Sequence, residues 1–142
     1  MCDAKSDCEK LLGAMMPFAE QLLREYGEFF PFGVSMSQKG DITMEAVSDS
    51  DEHPPAEKLI SLVKERFRAG AQSGKLKATG LAYDALTLPP GKQSKQNTVI
   101  CALDHRDNYS IQVCFPYERD QSSHLAIGPP FAVAGKQEIF SK

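Results

Sequence analysis

The chain predicts an α+β fold: an antiparallel sheet of about five strands with two helices, in the order α-β-β-α-β-β-β. Three patterns carry this expectation. Apolar residues recur at three- and four-residue steps in two segments, they alternate at every second residue in several others, and Gly, Pro and charged clusters separate the segments. With 142 residues and no internal repeat, residues 1–142 form one domain, because a chain of this size supports one core.

The first helix rests on Leu11, Leu12, Met15, Met16, Ala19, Leu22, Leu23 and Tyr26, with Ser6 and Glu9 as a capping box ahead of them and Gly27 as the stop. Pro17 removes a backbone donor, so the helix is expected to kink or restart there. After the aromatic segment Phe29 to Gly33, Val34 and Met36 alternate with serines, and Ile42, Met44 and Ala46 alternate with Thr43 and Glu45. The turn Gln38 to Asp41 joins them as a hairpin.

An acidic loop, Asp49 to Glu52, leads through Pro54 and Pro55 into a second helix whose stripe is Ala56, Leu59, Ile60, Val63, Phe67 and Ala71, ending at Gly74. Three strands follow, at Leu76 to Leu88, Thr98 to His105 and Tyr109 to Tyr117. The middle one is apolar on both faces and is expected to be central and covered on each side. The stretches Pro89 to Asn97 and Asp120 to Pro130 read as flexible loops, with a weak signal for a last strand within Ala132 to Phe140.

Sixteen basic against nineteen acidic residues give a formal charge of -3, the wrong sign for a surface that neutralises phosphates, so nucleic acid is not an expected partner. No apolar run is long enough to span a bilayer, and the acidic N-terminal segment does not read as a secretion signal, so no membrane partner and a cytoplasmic location are expected. Cys2, Cys8, Cys101 and Cys114 lack paired-ligand spacing and are read as reduced thiols, the last two buried within strands.

Four residues stand out chemically. Asp104 and His105 bring a carboxylate and an imidazole together, although strand neighbours point to opposite faces. His53 adjoins the acidic loop, and Tyr83 precedes Asp84 in an otherwise apolar strand, where the carboxylate needs a partner. His53, Tyr83, Asp104 and His105 are therefore the candidate ligand-binding set, and Phe29, Phe30, Phe32 and Tyr117 the candidate interface. No nucleophile elbow, zinc-protease helix or phosphate loop occurs, so no catalytic residue, metal site or cofactor is assigned.

The segments Phe30-Pro31-Phe32-Gly33, Glu52-His53-Pro54, Ala82-Tyr83-Asp84, Leu88-Pro89-Pro90-Gly91, Asp104-His105-Arg106-Asp107 and Phe115-Pro116-Tyr117 resemble an uncharacterised group of small bacterial α+β proteins. That resemblance covers residue 29 to the C-terminus and implies a stable domain without supplying catalytic residues. The order of elements resembles roadblock, longin and profilin-like modules, which implies dimerisation, scaffolding or ligand sensing. The expected function is a non-enzymatic protein-binding or homodimerising module, with a small-ligand or metal-binding domain built on the four named residues as the alternative.

Overall fold

In the computed structural model the described residues are 4–27, 29–45, 56–107, 109–119, 124–137 and 139–140. The acidic loop, His53 and the two prolines ahead of the second helix lie outside them. The described elements run α1 (Ala4–Tyr26), β1 (Phe32–Ser37), β2 (Ile42–Glu45), α2 (Ala56–Gln72), β3 (Leu76–Thr87), β4 (Gln96–His105), β5 (Tyr109–Arg119), β6 (Leu125–Ile127) and β7 (Phe131–Ala134).

The apolar stripe of α1 buries Leu11, Met15, Ala19 and Leu23, while Tyr26, assigned to the same stripe from its spacing, is exposed. The helix runs through Pro17 as one element. Proline deprives the carbonyl four residues earlier of its partner, and that residue is Gly13; both are exposed, so water can serve the carbonyl and the helix need not stop.

The strands form an antiparallel sheet in the order β2-β1-β3-β4-β5, and β6 and β7 both pair with β5 on its far side. The sheet thus has two more strands than the five the sequence predicts. One of them, β6, lies in a stretch expected to be a flexible loop. Because β2 and β3 are both antiparallel to β1, they run parallel to each other, and the connection between them needs a crossover, which α2 supplies.

Each face carries one helix. On one, α1 packs against β1, β3 and β4, over Val34, Met36, Ala78, Ala82, Val99, Cys101 and Leu103. On the other, Val63 and Phe67 of α2 meet Leu81, with Ile139 of the C-terminal tail closing the cluster. The contacts are close enough to demand glycine where each helix crosses: a Cβ on Gly80 would lie 2.5 Å from Met15 Sδ, and one on Gly33 would lie 2.5 Å from Phe67 Cζ. Each fully buried side chain of the Leu11, Met15 and Phe67 class contributes about 1.5–3 kcal/mol, so the two apolar stripes hold the layers together.

Candidate functional site

The most polar point of the interior lies on the α1 face. Asp7 sits in phase with Leu11 and Met15, so the helix carries it into the sheet instead of into water. Facing it are His105 at the end of β4 and Lys77 of β3. Lys77 arrives there through a bulge: Met36 pairs with Ala78 but Ser37 pairs with Leu76, leaving Lys77 as the extra residue. A bulge lets neighbouring residues share a face, and Lys77 joins Ala78 on the α1 side while Leu76 packs with α2.

Asp7 Oδ2 accepts from His105 Nε2 at 2.8 Å and lies 3.4 Å from Lys77 Nζ. The residues are 1%, 3% and 8% exposed respectively. The Asp107 backbone N–H donates to His105 Nδ1 at 3.1 Å, which makes Nδ1 an acceptor and places the ring proton on Nε2. Burial pushes the Asp7 carboxyl up, but the His105 hydrogen bond and the Lys77 charge outweigh it and hold the group below its ordinary value. Both ring nitrogens are thus committed within the chain. The arrangement resembles half a catalytic triad, yet it offers no nitrogen to a substrate and acts as a buried tie between α1 and the end of the sheet.

Asp104 points the other way, as strand alternation requires. On the α2 face it lines a cavity of about 80 Å³ together with Tyr83, Lys64, Thr79, Ser110 and Lys136. The C-terminal tail forms one wall. Gly135 N–H donates to Ser110 O at 3.1 Å, Gln137 N–H donates to Ser110 Oγ at 3.1 Å, and Ser110 Oγ donates to Asp104 Oδ1 at 2.5 Å. Of the four residues named from the sequence, Tyr83 and Asp104 therefore share a cavity, His105 is on the opposite face, and His53 lies outside the described residues.

The aromatic set divides as well. Phe32 and Tyr117, named as interface residues, are 4% and 6% exposed and belong to the α1-side core. Phe29 is half-buried and edge-on to Phe32, with ring centroids 5.8 Å apart, whereas Phe30 is 54% exposed. Tyr117 has a second task, donating to Asp84 Oδ2 at 2.7 Å, which supplies the partner that the carboxylate in β3 requires.

Two residues of the buried tie, Asp7 and Lys77, are not among the site residues that the sequence singles out. Asp7 carried a readable signal, being an acid at a four-residue step from Leu11 in an apolar stripe. Lys77 did not, since a bulge is invisible before the strands are paired.

Two further surfaces are defined. A groove of about 410 Å³ is lined by Pro89, Pro90, Pro116, Pro129 and Pro130, with Lys92 and Glu118 at its side. At the far end of the sheet β2 pairs on one side alone among the described residues. Its Ile42 and Met44 stand opposite Met36 and Val34, hence on the α1 face, and are 40% and 45% exposed because α1 covers β1, β3 and β4. No group of three or more metal-ligating side chains gathers among the described residues, and no described helix is long and apolar enough to cross a membrane. Comparison of the chain with family models, with curated proteins and with solved structures finds no match to any of them.

Proposed function

We propose that this chain is a non-enzymatic homodimerising module that extends its sheet through β2. The observation that carries the reading is the β2 edge itself, a strand with unpaired outer backbone groups among the described residues and two exposed apolar side chains on one face. Such an edge is a template for another strand.

A second copy suits it by symmetry. A two-fold axis perpendicular to the sheet sets β2 antiparallel to its copy, continuing the alternation of β1 and β2, and it keeps the α1 faces of both copies on the same side. Ile42 and Met44 of one protomer then meet those of the other as cross-strand apolar pairs, each worth about 0.2–1 kcal/mol beyond the backbone bonds. Phe18, 38% exposed and stacked edge-on upon Phe32 at 4.9 Å, adds apolar surface from α1 on that face.

Sedimentation of the purified chain together with Met44→Pro tests this. Ser37 N–H donates to Asp41 O at 2.9 Å, so in the register of the hairpin Thr43 bonds to β1 and the Met44 N–H faces outward; proline at Met44 removes an outer donor and leaves the β1–β2 ladder intact. A dimer in the parent and a folded monomer in the variant are expected; a monomer in both, or an unaffected dimer in the variant, contradicts the reading.

A further inference from the structure

We infer that His105 is a proton-driven switch, in which a second ring proton exchanges the Asp107 backbone for the Asp107 side chain at Nδ1. None of the atoms involved takes part in edge pairing at β2.

Three contacts define the neutral state. The ring proton is on Nε2 and is donated to Asp7 Oδ2 at 2.8 Å. Nδ1 presents a lone pair and accepts the Asp107 N–H at 3.1 Å. Asp107 Oδ2 lies 3.6 Å from the same Nδ1, beyond hydrogen-bond distance, and the neutral ring has no proton there to give it. A single residue thus holds both a donor and an acceptor beside one ring nitrogen, and the protonation of that nitrogen decides which of them it uses.

A proton arriving at Nδ1 sets one N–H against another, so the bond to the Asp107 backbone cannot survive it. The carboxylate takes its place by closing about 0.8 Å, to the length usual for a charge-assisted hydrogen bond. The Asp107 side chain is 61% exposed, so it makes this approach from the solvent side. The neighbouring backbone stays anchored, because Arg106 N–H donates to Lys77 O at 3.0 Å and the Arg106 side chain donates to Gln38 Oε1. Movement is therefore confined to the peptide between Arg106 and Asp107, which turns its N–H away from the ring. At Nε2 no partner changes; the bond to Asp7 acquires a charged donor and strengthens.

The surroundings are equipped for a charged imidazole. Asp7 from α1 and Asp107 face the ring with negative charge, and Lys77 from β3 adds a positive one beside Asp7. Tyr109, paired with His105 across β4 and β5, and Cys8, which follows Asp7 on α1, are titratable neighbours, the latter a thiol that burial keeps protonated. Asp104 is turned to the opposite face and occupied by Ser110. Two carboxylates against one ammonium compensate a second cation, so the protonated ring stays buried instead of being expelled. The device senses pH without breaking the contact between α1 and the sheet.

The test is a pH titration of the full chain by nuclear magnetic resonance, following the His105 ring carbons and the Asp107 amide, with Asp107→Ala and Asp107→Asn alongside. Ring and amide are expected to change with one common midpoint. Exchange of the Asp107 amide, corrected for its intrinsic pH dependence, is expected to be about tenfold or more faster below that midpoint than above it, with the Arg106 amide protected throughout. Asp107→Ala, at an exposed position, is expected to lower the midpoint by about 0.5–1 pH unit through loss of a water-screened opposite charge. Asp107→Asn, whose amide oxygen still accepts from Nδ1–H, is expected to lower it less. A His105 ring that takes no second proton until the chain unfolds, an Asp107 amide indifferent to the ring's midpoint, or a midpoint unchanged in Asp107→Ala each overturns the proposal.

Discussion

Replacing Asp7 by Asn probes the buried tie with the least change in shape. The amide keeps an oxygen for His105 Nε2–H, so the loss is confined to the negative charge that faces Lys77 at 3.4 Å. With an effective dielectric constant near 20, two unit charges at that separation attract by about 5 kcal/mol. Breaking a buried pair by removing one member costs about 3–5 kcal/mol. The Lys77 side chain is 10% exposed and can tilt its ammonium toward water, which places the expected loss near the lower end, about 3 kcal/mol. For a chain of this length that lowers Tm by about 10 °C. Urea unfolding followed by circular dichroism measures it, with the midpoint moving and the slope unchanged. The companion is Asp7→Asn with Lys77→Met, which leaves no unpaired buried charge and is expected to lose clearly less than the two single variants added together. A loss below about 0.5 kcal/mol for Asp7→Asn, or simple additivity in the double variant, refutes the claim that the pair holds α1 to the sheet.

Other outcomes follow from the same geometry. Because the folded Asp7 carboxyl sits below its ordinary value of 3.8, its contribution is complete above that value and is lost as the pH falls through the folded one; acid unfolding of the parent should carry this loss, and Asp7→Asn should lack it, with Lys77, His105 and Asp107 as the other titratable groups at the tie. Gly33→Ala forces a Cβ onto Phe67 and is expected to cost about 1–3 kcal/mol in chemical denaturation. Tyr117→Phe strips the hydroxyl from Asp84 and should cost about 1–3 kcal/mol by the same assay. Burial pushes the Cys8 and Cys101 thiols up to about 12 and raises that of Cys114, so mass spectrometry after treatment with a thiol reagent at neutral pH should find all three unmodified until the chain is unfolded.

Much of the scaffold was legible because burial imposes a period. Leu11, Met15 and Leu23 announced α1, Leu59, Val63 and Phe67 announced α2, and the alternation from Tyr109 to Tyr117 announced β5. The same alternation separated Asp104 from His105 correctly. What escaped the sequence was set by contacts between distant residues. The three residues of β6 are too few to show a period, and the four of β7 give no more than the weak signal at Ala132 to Phe140; both strands pair with β5. Pro17 reads as a break until its exposure is known. Phe32 and Tyr117 look like surplus aromatics until the α1-side core is assembled around them, and Tyr83 and Asp104 come to line one cavity only once β3 and β4 are paired. The Asp7, His105 and Lys77 tie brings together residues 98 positions apart and depends on a bulge that local spacing cannot disclose.

The state of the β2 backbone tests the central claim most directly. Amide hydrogen exchange at Ile42 and Met44, whose N–H groups the hairpin register turns outward, followed at protein concentrations spanning three orders of magnitude, reports whether the outer groups of this strand are bonded. Pairing with a second copy predicts slow exchange in concentrated samples that becomes fast on dilution, with β3 and β4 protected throughout. Exchange in β2 that is equally fast at every concentration would contradict it.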